Sequence, residues 1–145
     1  MNEKKDILLV EDNPSDAEFT MRALRNSNII NRLIHLQDGE EALEYVFATG
    51  KYSGRNIDEM PKVILLDLKM PKINGLEVLK KIKSDKRTKL IPVVLLTSSK
   101  EESDILDAYK YGVNSYIVKP VDFDDFAKVI AHAGLYWLLV NQPHK

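Results

Sequence analysis

The chain contains no cysteine. That one absence excludes disulfides, thiolate metal centres, iron–sulfur clusters and cysteine nucleophiles. Long apolar runs are missing as well, and none approaches the roughly 18 residues of a membrane span. The opening Met-Asn-Glu-Lys-Lys-Asp lacks the apolar core of a secretory signal. No charge of one sign dominates. Lys and Arg total 21 against 22 Asp and Glu, a net charge of −1, so there is no overall basic footprint for nucleic acid. Glycine and proline are sparse at six each, which excludes a collagen-like chain. What is present, 44% hydrophobic and 30% charged residues in a chain of 145, suits one globular domain with a core of its own. The expectation is a single cytoplasmic domain over residues 1–145.

Short aliphatic runs alternate with amphipathic ones. Ile7-Leu8-Leu9-Val10, Leu33-Ile34-His35-Leu36, Val63-Ile64-Leu65-Leu66, Val93-Val94-Leu95-Leu96 and Tyr116-Ile117-Val118 show little polar alternation. Such runs suit strands buried on both faces, the condition in a parallel sheet. Between them lie helical stripes. Ala17, Met21 and Leu24 follow an expected cap near Ser15-Asp16, and Ala42, Leu43, Val46 and Phe47 form a second stripe. Ile73, Leu76, Leu79 and Ile82 predict a helix bounded by Pro71. Ile105, Leu106, Ala108 and Tyr109 predict a fourth, ended by Gly112, and a fifth starts near Asp122. The order β-α, five times over, predicts a doubly wound α/β fold: a five-stranded parallel sheet with five helices. Residues 48–61, with Gly50, Ser53, Gly54 and Pro61, read as a long surface loop.

Functional groups in such sheets gather at the carboxyl ends of the strands. Here those ends carry Glu11, Asp12, Asp67, Thr97 and Lys119. Three carboxylates brought together repel and raise one another's pKa, so cationic charge must compensate. Lys119 supplies one charge, and a hard divalent cation with oxygen ligands would supply the rest. The scatter of His35, His132 and His144 disfavours zinc. A lone Asp or Thr after a strand is ordinarily a turn or cap residue, and a Lys beside Pro is ordinarily solvated. Spacing alone leaves those readings and a phosphoryl-handling site both open.

The blocks Leu8-Leu9-Val10-Glu11-Asp12-Asn13, Leu66-Asp67-Leu68-Lys69-Met70-Pro71 with Asn74-Gly75, Val94-Leu95-Leu96-Thr97-Ser98 and Tyr116-Ile117-Val118-Lys119-Pro120 resemble the receiver domain of two-component response regulators. The resemblance spans roughly residues 5–135 and implies a flavodoxin-like fold. It implies that Asp67 accepts a phosphoryl group from a sensor histidine kinase. Asp12 and Asp67 would bind Mg²⁺, with Mn²⁺ as an alternative, assisted by Glu11 and the backbone carbonyl of Lys69. Lys119 would pair with a phosphoryl oxygen, and a cis peptide would precede Pro120. Thr97 and Tyr116 would be the switch pair, and Lys69 and Ser99 would flank the site and tune the phosphoryl lifetime. The chain would be no enzyme, but an acceptor that promotes its own phosphorylation and dephosphorylation.

No output domain is expected, and the expected output is a protein contact or phosphotransfer to a histidine phosphotransfer protein. The last helix is apolar on two faces, with Tyr136, Trp137, Leu138 and Val140 as an expected partner surface. The expected assembly is a homodimer through the fourth helix, fifth strand and fifth helix. The long loop and the Leu-Tyr-Trp-Leu-Leu-Val tail resemble single-domain regulators paired with bacteriophytochrome-type kinases. Lys80, Lys81, Lys83, Lys86, Arg87 and Lys89 form a basic cluster, read as a solvated face and not a nucleic-acid site. Rival readings are a small Asp-nucleophile phosphatase, a flavin or nucleotide binder, and a receiver-like scaffold that is never phosphorylated. The phosphatase would want a second Asp where Lys69 stands. The nucleotide binder would want a Gly- or Ser-rich loop where the acidic Glu11-Asp12 stands.

Overall fold

The strands are where continuous apolar runs require them. The computed structural model describes residues 6–26 and 32–119. In chain order the elements are β1 (Asp6–Val10), α1 (Pro14–Asn26), β2 (Arg32–Leu36), α2 (Gly39–Phe47), β3 (Val63–Asp67), α3 (Gly75–Ser84), β4 (Val93–Thr97), α4 (Glu102–Lys110) and β5 (Ser115–Val118). All four pairings are parallel, and the sheet runs β2-β1-β3-β4-β5. This is the flavodoxin-like order, with crossover helices on both faces. Every residue of β3 and β4 is buried, which is why neither strand shows polar alternation.

Alternate residues of each strand feed two cores. Leu8, Val10, Ile64, Leu66 and Leu95 pack with Ala42 and Val46 of α2 and with Val78, Leu79 and Ile82 of α3. Ile7, Leu9, Val63, Leu65, Val94 and Leu96 pack on the other side with Ala17 and Leu24 of α1. Each fully buried aliphatic side chain contributes about 1.5–3 kcal/mol. Four helices are found among the described residues; the expected fifth, the Pro120 peptide and the surface at Tyr136, Trp137, Leu138 and Val140 lie outside them.

Several helix details differ from the sequence expectation. The first helix is capped by Asn13, not near Ser15-Asp16: Asn13 Oδ1 accepts from the Asp16 N–H at 3.0 Å. Pro14 takes the first helical position, where its missing N–H costs nothing. The third helix starts at Gly75, capped by Asn74, so Ile73 precedes it. On α4 only Ala108 is buried, while Leu106 and Tyr109 are 63% and 53% exposed. Gly112 does end α4, at φ +95°, as expected.

Residues 48–61 are more structured than a plain loop. They contain a 3-10 turn at Gly50–Tyr52 and are stapled to α2. The Arg55 guanidinium lies 3.9 Å over the Tyr45 ring and donates to the Tyr45 and Glu59 carbonyls. Tyr52 meets Tyr45 edge-on at 5.0 Å and donates to Glu41 Oε2 at 2.6 Å. Tyr45 in turn donates to Asp6 Oδ2 at 2.6 Å, which ties the staple to the start of β1. The basic cluster is partly engaged in structure. Lys83 Nζ donates to the carbonyls of Lys89 and Ile91 and to Asn114 Oδ1, and Arg87 pairs with Asp85 at 2.9 Å.

Candidate functional site

Strand order decides which side chains meet. β1, β3, β4 and β5 are consecutive neighbours, so the residues at or just past their carboxyl ends share one edge. Glu11 and Asp12 follow β1, Asp67 and Thr97 end β3 and β4, and Lys119 follows β5. The Lys119 N–H donates to the Thr97 carbonyl at 2.8 Å, which carries the lysine over the site.

Lys119 Nζ is the hub. It lies 2.6 Å from Glu11 Oε1, 3.2 Å from Asp16 Oδ2 and 3.6 Å from Asp67 Oδ1. Glu11 and Asp67 are buried and Asp12 is exposed. Each of these three carboxylates offers an oxygen, and the three oxygens lie within 4.8 Å of one another. All are hard donors, a set suited to Mg²⁺ or Mn²⁺ and not to zinc. Burial pushes the Asp67 carboxyl up to about 7; the neighbouring Glu11 charge adds to this and the Lys119 ammonium opposes it. Added positive charge near this carboxyl group would lower its pKa again. For Lys119, burial works to lower the pKa, but the Glu11 hydrogen bond and the Asp67 charge outweigh it and the net shift is upward.

The backbone beneath Asp67 is held closely. The Gly75 N–H donates to the Leu68 carbonyl at 2.7 Å. A Cβ on Gly75 would sit 2.3 Å from the Asp67 carbonyl oxygen, so no larger residue fits without displacing β3. Lys72 Nζ reaches from the same loop to Asp38 at 3.5 Å and Glu40 at 3.3 Å. The Lys69 side chain, two residues after Asp67, is exposed.

Thr97 and Tyr116 meet through a third residue. Buried Thr97 Oγ1 accepts from the Ser99 N–H at 3.2 Å, and the half-buried Tyr116 hydroxyl donates to the Ser99 carbonyl at 3.0 Å. Ser99 Oγ donates to Asp104 Oδ2 at 2.6 Å, which fastens the segment to α4. The edge thus brings together Glu11, Asp12, Asp67 and Lys119, with Thr97, Ser99 and Tyr116 linked alongside. Asp16 was not anticipated as a Lys119 partner. Its place in the first turn of α1, one turn beyond the acidic pair, was the available signal.

A model of the response regulator receiver domain matches residues 7–131. The probable methanogenesis regulatory protein FilR2 of Methanothrix harundinacea is 42% identical over 136 residues, spanning 94% of this chain and 85% of its own length. Response regulator Rcp1 of Synechocystis is 39% identical over 137 residues, 94% of this chain and 91% of Rcp1. Among solved structures, the bacteriophytochrome response regulator RtBRR has a TM-score of 0.86 at 48% identity, covering 98% of this chain and 85% of that one. The Mn(2+)-bound form of Rcp1 gives 0.77 at 38% identity, covering 97% of this chain and 99% of that one. The phosphorylated cyanobacterial phytochrome response regulator RcpA gives 0.79 at 38% identity, covering 98% and 100%. Five parallel strands, the acidic edge and these matches agree: the chain belongs to the response regulator receiver family and is a receiver-domain response regulator of two-component signalling.

Proposed function

We propose that Asp67 accepts a phosphoryl group from the phosphohistidine of a sensor kinase. The phosphorus–nitrogen bond breaks as a carboxylate oxygen of Asp67 bonds to phosphorus, and the departing imidazole takes up a proton. The product is an acyl phosphate, which water later hydrolyses. The observation that carries this reading is Lys119 Nζ standing 2.6 Å from Glu11 and 3.6 Å from Asp67. It is a fixed cation beside the nucleophile, placed to meet charge that builds on the transferring oxygens.

Glu11, Asp12 and Asp67 fit a divalent cation, Mg²⁺ or Mn²⁺, with the Lys69 carbonyl as a further ligand; the Mn(2+)-bound form of Rcp1 supports a divalent cation here. Bound there, the cation supplies the positive charge that three adjoining carboxylates and a phosphoryl group require. The chain acts as a phospho-acceptor that promotes its own phosphorylation and dephosphorylation. Lys69 stands exposed two residues after Asp67, where a phosphatase with an Asp nucleophile would want a second Asp. Thr97 draws toward the phosphoryl oxygens, and its bond to Ser99 transmits that movement to Tyr116 and α4. The test is intact mass after incubation with acetyl phosphate and Mg²⁺. One phosphoryl adduct is expected, absent from Asp67→Asn and absent without the metal. No adduct with either acetyl phosphate or phosphoramidate overturns the reading.

The partner kinase is of the phytochrome type, which the bacteriophytochrome and phytochrome regulators among the similar structures support, and the chain works in the cytoplasm. Relay onward to a histidine phosphotransfer protein uses the same Asp67. The whole of residues 1–145 acts as one receiver domain. It forms a homodimer through α4, β5 and the segment after residue 119, supported by the exposed Leu106 and Tyr109 on α4. Sedimentation of Leu106→Glu should show a monomer at concentrations where the wild type is a dimer. A monomeric wild type, phosphorylated or not, refutes the dimer.

A further inference from the structure

The acidic pair is gripped from a direction that the phosphoryl chemistry does not use. The β1–β2 ladder ends at the pair Val10 and Leu36. One residue on, the Glu11 N–H still reaches the Leu36 carbonyl at 3.0 Å. The Glu11 carbonyl has passed the end of the ladder, and there a side chain takes over. His35 Nε2 lies 2.8 Å from that carbonyl oxygen. A carbonyl oxygen only accepts, so Nε2 carries the hydrogen and donates.

The other hydrogen-bonding atoms of Glu11 are also engaged. Oε1 accepts from Lys119 and Oε2 from the Asn13 N–H at 3.2 Å. Asp12 differs. Its side chain is exposed and makes no hydrogen bond with the described residues, so its position depends on its backbone. The Glu11 carbonyl and the Asp12 N–H belong to one rigid peptide plane. Holding the carbonyl therefore fixes the Asp12 Cα, the point from which its side chain departs.

We infer that His35 is a positioning residue for the divalent cation: its Nε2–H holds the Glu11–Asp12 peptide plane so that both carboxylates face Asp67. The inference rests on the metal reading given above. It concerns β2, the strand that contributes no group to the site itself.

The test is calorimetric titration of Mg²⁺ into the full chain at pH 8, with His35→Phe and His35→Gln beside the wild type. Phe keeps ring bulk and removes the donor, while Gln restores an N–H donor at similar reach. The expected result is about tenfold weaker Mg²⁺ binding in His35→Phe, the size seen when an outer partner of a metal site is lost. His35→Gln should recover to within about threefold of wild type, within the worth of one hydrogen bond. Equal binding by wild type and His35→Phe overturns the inference alone, as does a Gln variant as weak as Phe. A wild type that binds no Mg²⁺ overturns the metal reading and the inference with it. Should His35→Phe not fold, the ring ¹⁵N spectrum of the metal-free wild type decides. A hydrogen on Nε2 is expected, and one on Nδ1 alone refutes the role.

Discussion

Asp67→Asn should make the metal-free protein more stable, and the gain should depend on pH in a definite way. Burial and the adjoining Glu11 lift the Asp67 carboxyl from its ordinary 3.8 to about 7. The folded state therefore holds a proton that the unfolded chain has released at any pH between those values. Stability from this group is fully present below pH 3.8 and is lost as pH rises through about 7. Each pH unit in that window costs up to about 1.4 kcal/mol, so the full loss is a few kcal/mol. Asn carries no charge at any of these values and leaves the Lys119–Glu11 pair in place. The variant should thus match the wild type near pH 4, pull ahead across the window, and hold a constant lead above pH 7. Urea unfolding of both proteins in chelator at pH 4, 5, 6, 7 and 8 reads the difference directly, with other carboxylates cancelling in the comparison. Saturating Mg²⁺ should shrink the lead by stabilising only the wild type. A lead that stays flat across the series, or an Asn variant that is the weaker protein at pH 8, refutes the account of the site as a store of repulsion.

Two further outcomes follow from the same geometry. Gly75→Ala forces a Cβ to within 2.3 Å of the Asp67 carbonyl; it should cost about 1–3 kcal/mol in urea unfolding and slow labelling by acetyl phosphate by moving the acceptor. Lys119→Met leaves the Glu11 carboxylate buried without its ammonium. It should cost about 3 kcal/mol at pH 8 by the same unfolding measurement and abolish detectable phosphoryl labelling in the intact-mass assay.

The strands and the site were legible in the sequence for one shared reason. A parallel sheet buried on both faces leaves its central strands no polar position until they end, so the first polar residue after each run is the one at the functional edge. Asp67 after Val63-Ile64-Leu65-Leu66 and Thr97 after Val93-Val94-Leu95-Leu96 are read off directly. What stayed hidden has no residue-type signature. Arg55 binds a backbone carbonyl and a ring face, and His35 binds a backbone carbonyl; neither target is visible as a letter in the chain. The cap of α1 was misplaced because Pro14 invites a start that Asn13 serves better than the Ser15-Asp16 pair. On α4, apolar spacing implied a buried stripe, yet helical periodicity does not say whether the covering surface belongs to the same molecule. Leu106 and Tyr109 stay in contact with solvent.

The staple of Arg55, Tyr45 and Tyr52 runs along α2 and is tied through Asp6 to where β1 begins, the end of the sheet away from Asp67. Among the described residues it shares no hydrogen bond with the groups around Asp67. The staple and the acidic edge are therefore separate constraints on one sheet, and loosening the first should leave the distances around Lys119 as they are.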